Sequence, residues 1–173
     1  MAWTDLISDI VNRYSGAAGG TASAPADPHQ DYRNVAQSAP RQVMADALAH
    51  AFRSDQTPSF SEMVSGLFRA SNPDQRAGLL NQLIGEISPA ALASIPGLSG
   101  LAGTVGGGQS VTAQQASQIS AEQVQQAAAH AERSNPSIVD QVSGFYAQHP
   151  GVVKALGAAA ITIALRHVAQ RKA

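Results

Sequence analysis

Hydrophobic residues recur along most of this chain at three- and four-residue spacing, which is typical of helices that pack on a core. Residues 58–68 and 136–146 carry the same pattern: Pro-Ser, a large apolar residue, an acid two positions later, Val-Ser-Gly, a large apolar residue and an aromatic ring. An Ala-rich stretch with one His and an Arg precedes each copy, at 47–54 and 127–134. Because repeated spacing indicates a repeated supersecondary element, the pattern predicts an all-α helical bundle built from a duplicated three-helix unit.

Helix start signals divide the first unit, residues 38–96, into three predicted helices. The first begins near Pro40, since proline suits the first position of a helix. The second begins at Ser59, which has Glu62 three residues later in capping-box spacing. The third begins after Asn72, which is followed by proline and an early acid.

The helical spacing stops between the two units, in residues 97–112. Three consecutive glycines at 106–108 make this stretch conformationally free, and we predict a long Gly-rich loop here. The second unit, residues 113–173, then repeats the three helices. Its last helix, predicted over 151–170, is apolar on nearly all sides and is therefore expected to lie centrally.

The N-terminal residues 1–37 are predicted to form a separate arm. Residues 15–30 are rich in Gly, Ala, Ser, Thr and Pro and contain few side chains that could be buried, so we predict a flexible linker there. Before it lies a short amphipathic helix, whose apolar face must pack on the bundle, on a partner protein or on a membrane surface. We predict partner contact through its apolar residues: Trp3, Leu6, Ile7, Ile10 and Tyr14.

Composition excludes several kinds of function. The formal net charge is −1 and charged residues make up 13% of the chain, so there is no general attraction to nucleic-acid phosphates. The chain has no cysteine, which excludes disulfides, thiolate catalysis and cysteine metal sites, and which fits a reducing cytoplasmic location.

Neither export nor a membrane span is predicted. Asp5 and Asp9 interrupt the first apolar stretch, and no cation precedes it as a secretory signal requires. The longest apolar run, residues 155–165 between Lys154 and Arg166, is about half of the ~20 residues that cross a bilayer. We therefore expect a buried helix there.

The repeat places two histidines, His50 and His130, at equivalent positions. Related halves could bring them together across a pseudo-twofold axis to hold a ligand or share a proton. Neither has a recurring carboxylate or third ligand beside it, so a structural role at the helix end is favoured, and no metal or cofactor is predicted.

Two equivalent glycines, Gly66 and Gly144, interrupt predicted helices. Each costs about 1 kcal/mol relative to alanine, which suggests that another helix passes closely there, or alternatively that a ligand approaches the backbone. No nucleophile elbow, metalloprotease spacing, phosphate loop or dinucleotide fingerprint occurs in the chain, so we expect a protein that is not an enzyme.

Two short motifs carry a resemblance to a known family. Residues 119–124, Ile-Ser-Ala-Glu-Gln-Val before an Ala-rich helix, and residues 87–89, Ile-Ser-Pro, resemble the YidB-like family of small bacterial proteins. This resemblance implies an all-helical fold with a homeodomain-like three-helix arrangement and no established activity.

A protein-interaction or scaffold module is the function we favour from the sequence, with another protein or a second copy as partner. One alternative is association with a membrane surface through the N-terminal helix and the basic C-terminal end. A second is weak nucleic-acid binding by the homeodomain-like unit. It is disfavoured because neither third helix carries a basic face along its length.

Overall fold

Regular structure is helical throughout the described part of the protein, which confirms the predicted all-α class. The computed structural model describes residues 3–14 and 27–171, and no β-strand occurs in these ranges. In chain order its elements are α1 (Trp3–Tyr14), α2 (Pro28–Ser38), α3 (Arg41–Phe52), α4 (Phe60–Ala70), α5 (Pro73–Gly85), α6 (Pro89–Ser94), α7 (Ser99–Gly106), α8 (Ala113–Ser117), α9 (Ala121–Ser134), α10 (Ile138–Ala147), α11 (Pro150–Val153), a 3₁₀ turn (Lys154–Leu156) and α12 (Gly157–Gln170).

The most extensive helix contacts join the first half of the chain to the second. Helix α3 packs against α10, and α4 packs against α9. Helix α3 also packs on α12, while α9 packs on α5. The long helices α3, α4, α9 and α10 therefore each find their main partner in the other half, whereas the short helices α6 and α7 pack on each other. One continuous apolar core joins the halves.

The two Val-Ser-Gly segments have similar conformations and similar surroundings. Both lie in helices, α4 and α10, and Val64 and Val142 are completely buried. Ser65 and Ser143 are also buried, and each hydroxyl donates to a backbone carbonyl of the preceding turn, at 2.9 Å and 2.6 Å. Local hydrogen bonding thus satisfies a buried hydroxyl in both copies.

A bidentate ion pair links α3 to α10. The guanidinium of Arg53 donates to both carboxylate oxygens of Asp140 at 2.8 Å, which lowers the pKa of Asp140 and raises that of Arg53. The equivalent residues behave differently: Glu62 closes a capping box with Ser59, and Arg133 donates to a carbonyl of its own helix. The pair is exposed to solvent, so its contribution to stability is small.

Helix α2 begins near the end of the stretch predicted to be a flexible linker and runs to residue 38, the predicted start of the bundle. Asp27 caps α2 by accepting hydrogen bonds from the first turn, and a proline occupies the first helical position. Tyr32 and Val35 are buried, and α2 packs on α12. The linker residues 15–26 lie outside the described residues.

The stretch predicted as a long loop, residues 97–112, is largely structured. Helix α7 occupies half of it, and Leu98, Leu101 and Val111 are buried in the core. The side chain of Asn81 accepts from the backbone N–H of Val111 at 2.8 Å and donates to its carbonyl at 3.2 Å. The three buried apolar side chains and the two hydrogen bonds of Asn81 therefore fix this stretch on the core despite its glycines.

The last helix of the second half is interrupted, where the sequence predicted a continuous helix over 151–170. Gly157 has a φ of +83°, and a 3₁₀ turn separates α11 from α12 at this point. Among the described residues one helical segment, Pro150–Gln170, is long and apolar enough to span a bilayer, although no span was predicted. Half of its most apolar window is buried inside the protein, and core helices of soluble proteins also meet this criterion.

The close backbone approach expected at the repeated glycines occurs elsewhere. A methyl group added at Gly144 would meet nothing within 4 Å, and at Gly66 the nearest atom is the carbonyl oxygen of Ala155 at 3.9 Å. At Gly78, by contrast, an added Cβ would lie 2.7 Å from Cε2 of Phe145. The ring of Phe145 therefore rests on the backbone of α5.

Candidate functional site

The apolar face of α1, predicted to contact a partner, is covered by the protein itself. Ile7, Ile10 and Tyr14 are buried, Leu6 is half-buried, and the helix packs on α12 and α2. The side chain of Trp3 lies outside the described residues. Most of the described apolar side chains on this face are therefore covered by the bundle.

A buried hydrogen bond reinforces the docking of α1. The hydroxyl of Tyr14 donates to Oδ2 of Asp31 on α2 at 3.0 Å, and only 8% of Asp31 is exposed. Such a bond to a carboxylate is stronger than one between neutral groups. Helix α1 is thus held to the bundle by polar as well as apolar contacts.

The structure brings His50 together with His167, not with His130. The imidazole rings of His50 and His167 are stacked, with centroids 4.4 Å apart and planes inclined by 18°. His50 is exposed in the last turn of α3, and His167 is half-buried in the last turn of α12. His130 lies half-buried on α9.

The stack follows from the antiparallel packing of α3 and α12. One helical turn before His50, Asp46 accepts a hydrogen bond from Arg171, one turn beyond His167. Residues four apart lie on the same face of a helix. The histidine stack and the Asp46–Arg171 ion pair therefore lie one helical turn apart along the same edge of the α3–α12 interface.

An open groove of about 170 Å³ lies beside the stacked rings, between the C-terminal turns of α3 and α12. We call it the His groove, and seven residues line it: His50, Ser54, Gln56, Ile163, Arg166, His167 and Gln170.

Arg166 supplies a fixed positive charge to the lining of the His groove. The other described lining residues are two histidines and neutral side chains, with no carboxylate among them. Arg166 is exposed and forms no hydrogen bond or ion pair with any other described residue, whereas the neighbouring Arg171 is paired with Asp46. Burial lowers the pKa of His167, and the nearby His50 and Arg171 lower it further. Both the charge and the free donors suit an acidic group.

The described residues do not form a metal-binding site. No group of three or more His, Cys, Asp or Glu side chains that could hold a metal ion occurs in residues 3–14 and 27–171. The stacked imidazoles also face each other with their rings, whereas metal ligation requires ring nitrogens that converge on one point.

A larger cavity of about 590 Å³ opens between α2 and α11. Its lining mixes Asp27 with the cations Arg33 and Lys154. The carboxylate of Asp27 is already engaged as the cap of α2. Nδ1 of His29, which also lines this cavity, is buried and has no hydrogen-bond partner among the described residues. The mixed charge gives this cavity no clear preference for one kind of ligand.

Sequence reasoning named His50 but missed its partners, Arg166 and His167. Positive side chains are common near the C-terminus of a helix, where they complement the helix dipole, so their position alone did not indicate a site. The position of the two histidines relative to the buried residues could have indicated the site. His50 follows the buried residues of α3, and His167 precedes the buried Val168 of α12. Both therefore lie at the edge of a buried stripe, where a side chain reaches a neighbouring helix and solvent.

Comparisons with known proteins identify no relative. No family model, no curated protein and no solved structure matches the chain.

Proposed function

We propose that this chain is a non-enzymatic interaction module in which two related three-helix units form one scaffold, and that a partner protein contacts it at the His groove. The observation that supports the contact surface is the groove itself, because it combines stacked histidines with an arginine that has no partner among the described residues. The groove lies at the surface, unlike the apolar face of α1, so a partner can reach it without rearrangement.

The reciprocal packing of α3 on α10 and of α9 on α4 supports the duplication. A twofold relation between the units would produce this exchange of partners, and the matched burial of Val64 and Val142 agrees with it. Similar losses of stability on Val64→Ala and Val142→Ala would support the duplication, and strongly unequal losses would count against it. The cytoplasmic location and the resemblance to the YidB-like family stay predictions.

A peptide-display selection on the immobilised full chain tests the contact surface. We expect selected peptides to shift the backbone amide resonances of residues 50–56 and 163–170, and we expect His167→Ala to weaken their binding. Arg33→Gln is the matched control, since Arg33 lies on α2 beside the other cavity. Peptides that shift a different surface, or that bind His167→Ala as well as the native chain, would refute the proposal.

A further inference from the structure

We infer that the His groove binds a carboxylate side chain from an acidic segment of a partner protein, and that binding is coupled to protonation of the stacked histidines. This inference rests on the proposed function and names the chemistry of the partner.

The hydrogen-bonding groups of the groove are suited to a carboxylate. A guanidinium offers several N–H donors in a planar fork that matches a carboxylate, and Arg166 has no competing partner among the described residues. The side-chain amides of Gln56 and Gln170 also form no hydrogen bond there and supply further donors. None of the described residues that line the groove is acidic, so none of them repels the ligand.

The size of the groove favours a single head group. The groove has a volume of about 170 Å³. Pockets for cofactors and drug-sized molecules measure about 300–1,000 Å³. The half-buried Ile163 adds an apolar wall that can contact the methylene groups of a glutamate.

The stacked rings couple binding to pH. Two protonated imidazoles with centroids 4.4 Å apart repel each other, and a carboxylate beside them offsets that repulsion. Among the described residues, the other charged groups near the pair are Asp46 on α3, Arg166 on α12 and Arg171 directly after α12. Asp46 forms an ion pair with Arg171. The described lining residues come from α3, from the turn after α3 and from α12. A bound carboxylate therefore raises the proton affinity of the pair, and binding tightens as the pH falls.

The test is a titration of the full chain, followed by amide resonances, with a blocked Glu-Glu-Gly-Gly peptide and its Gln-Gln counterpart. At pH 5.5 the glutamates remain ionised, since their ordinary pKa is about 4.3. We expect the Glu peptide to shift residues 50–56 and 163–170 and to bind about tenfold more tightly at pH 5.5 than at pH 7.5. The Gln peptide is expected not to bind.

Variants separate the contributions of the groove residues. Arg166→Gln should weaken binding of the Glu peptide about tenfold, by loss of a charge-assisted hydrogen bond, while Arg33→Gln should leave it unchanged. The double variant of His50→Gln and His167→Gln should remove the pH dependence. Retained far-UV circular dichroism confirms that each variant is folded.

Several outcomes would overturn the inference. Equal binding of the Gln peptide would exclude the carboxylate, and binding that does not change with pH would exclude the proton coupling. A site that binds inorganic phosphate but not the Glu peptide would indicate a free oxyanion as ligand. If display-selected peptides occupy the groove but the Glu peptide does not, the chemistry is wrong while the proposed function stands.

Discussion

Replacing Gly78 with alanine tests a close approach of the Phe145 ring to the backbone of α5. Gly78 lies inside α5, and a Cβ there would come within 2.7 Å and 2.8 Å of Cε2 and Cζ of the Phe145 ring. Folded proteins essentially never show such distances, so the ring must move. Overpacking of this kind costs about 1–3 kcal/mol, and alanine returns about 1 kcal/mol through its helix propensity. We expect Gly78→Ala to lower the free energy of unfolding by about 1 kcal/mol.

Gly144→Ala is the matched control. Gly144 lies inside α10, next to Phe145, and an added methyl group would meet nothing within 4 Å. Only the propensity gain remains, so the variant should be more stable by about 0.5–1 kcal/mol. The repeat in the sequence had suggested that Gly144 marks a close contact, so the two variants distinguish the repeat pattern from the tertiary structure.

Urea unfolding followed by circular dichroism measures both changes, with the midpoints compared at equal slope. In the Gly78→Ala background, Phe145→Leu should recover part of the loss, because it removes the ring that the methyl group meets. If Gly78→Ala is as stabilising as Gly144→Ala, Phe145 does not rest on α5. A destabilised Gly144→Ala would mean that another surface covers α10 there.

Two further predictions concern polar groups. Tyr14→Phe should destabilise the protein by about 1–3 kcal/mol in urea unfolding, because it removes a buried hydrogen bond to Asp31. Tyr32→Phe should be neutral or stabilising, since the buried hydroxyl of Tyr32 has no partner among the described residues. Equal losses of stability in the two variants would contradict this reasoning. The pKa of His167 is lowered in the folded protein, so the unfolded chain takes up a proton first, and stability should fall as the pH drops below the ordinary value near 6.5. Thermal unfolding between pH 5 and 8 should show a weaker pH dependence for His167→Gln, and an unchanged one would argue against the stack.

The sequence determined the local features of the fold because helix caps and apolar spacing act within a few residues. The predicted capping box at Ser59 is present, and the helix predicted after Asn72 begins there. The all-helical class follows from the same signals. The prediction missed α2 although Asp27 and Pro28 give a helix start signal there, and the burial of Tyr32 and Val35 supplies the stability that composition did not indicate.

Only the tertiary structure decided which helices meet. Local spacing defines a buried stripe on each helix but not the partner that covers it, so the exchange of partners between the units was not predictable. For the same reason His50 was compared with its sequence equivalent His130, whereas the antiparallel packing of α3 and α12 placed it on His167. The candidate site consists of side chains at the edges of two stripes, and it forms only when distant segments of the chain pack together.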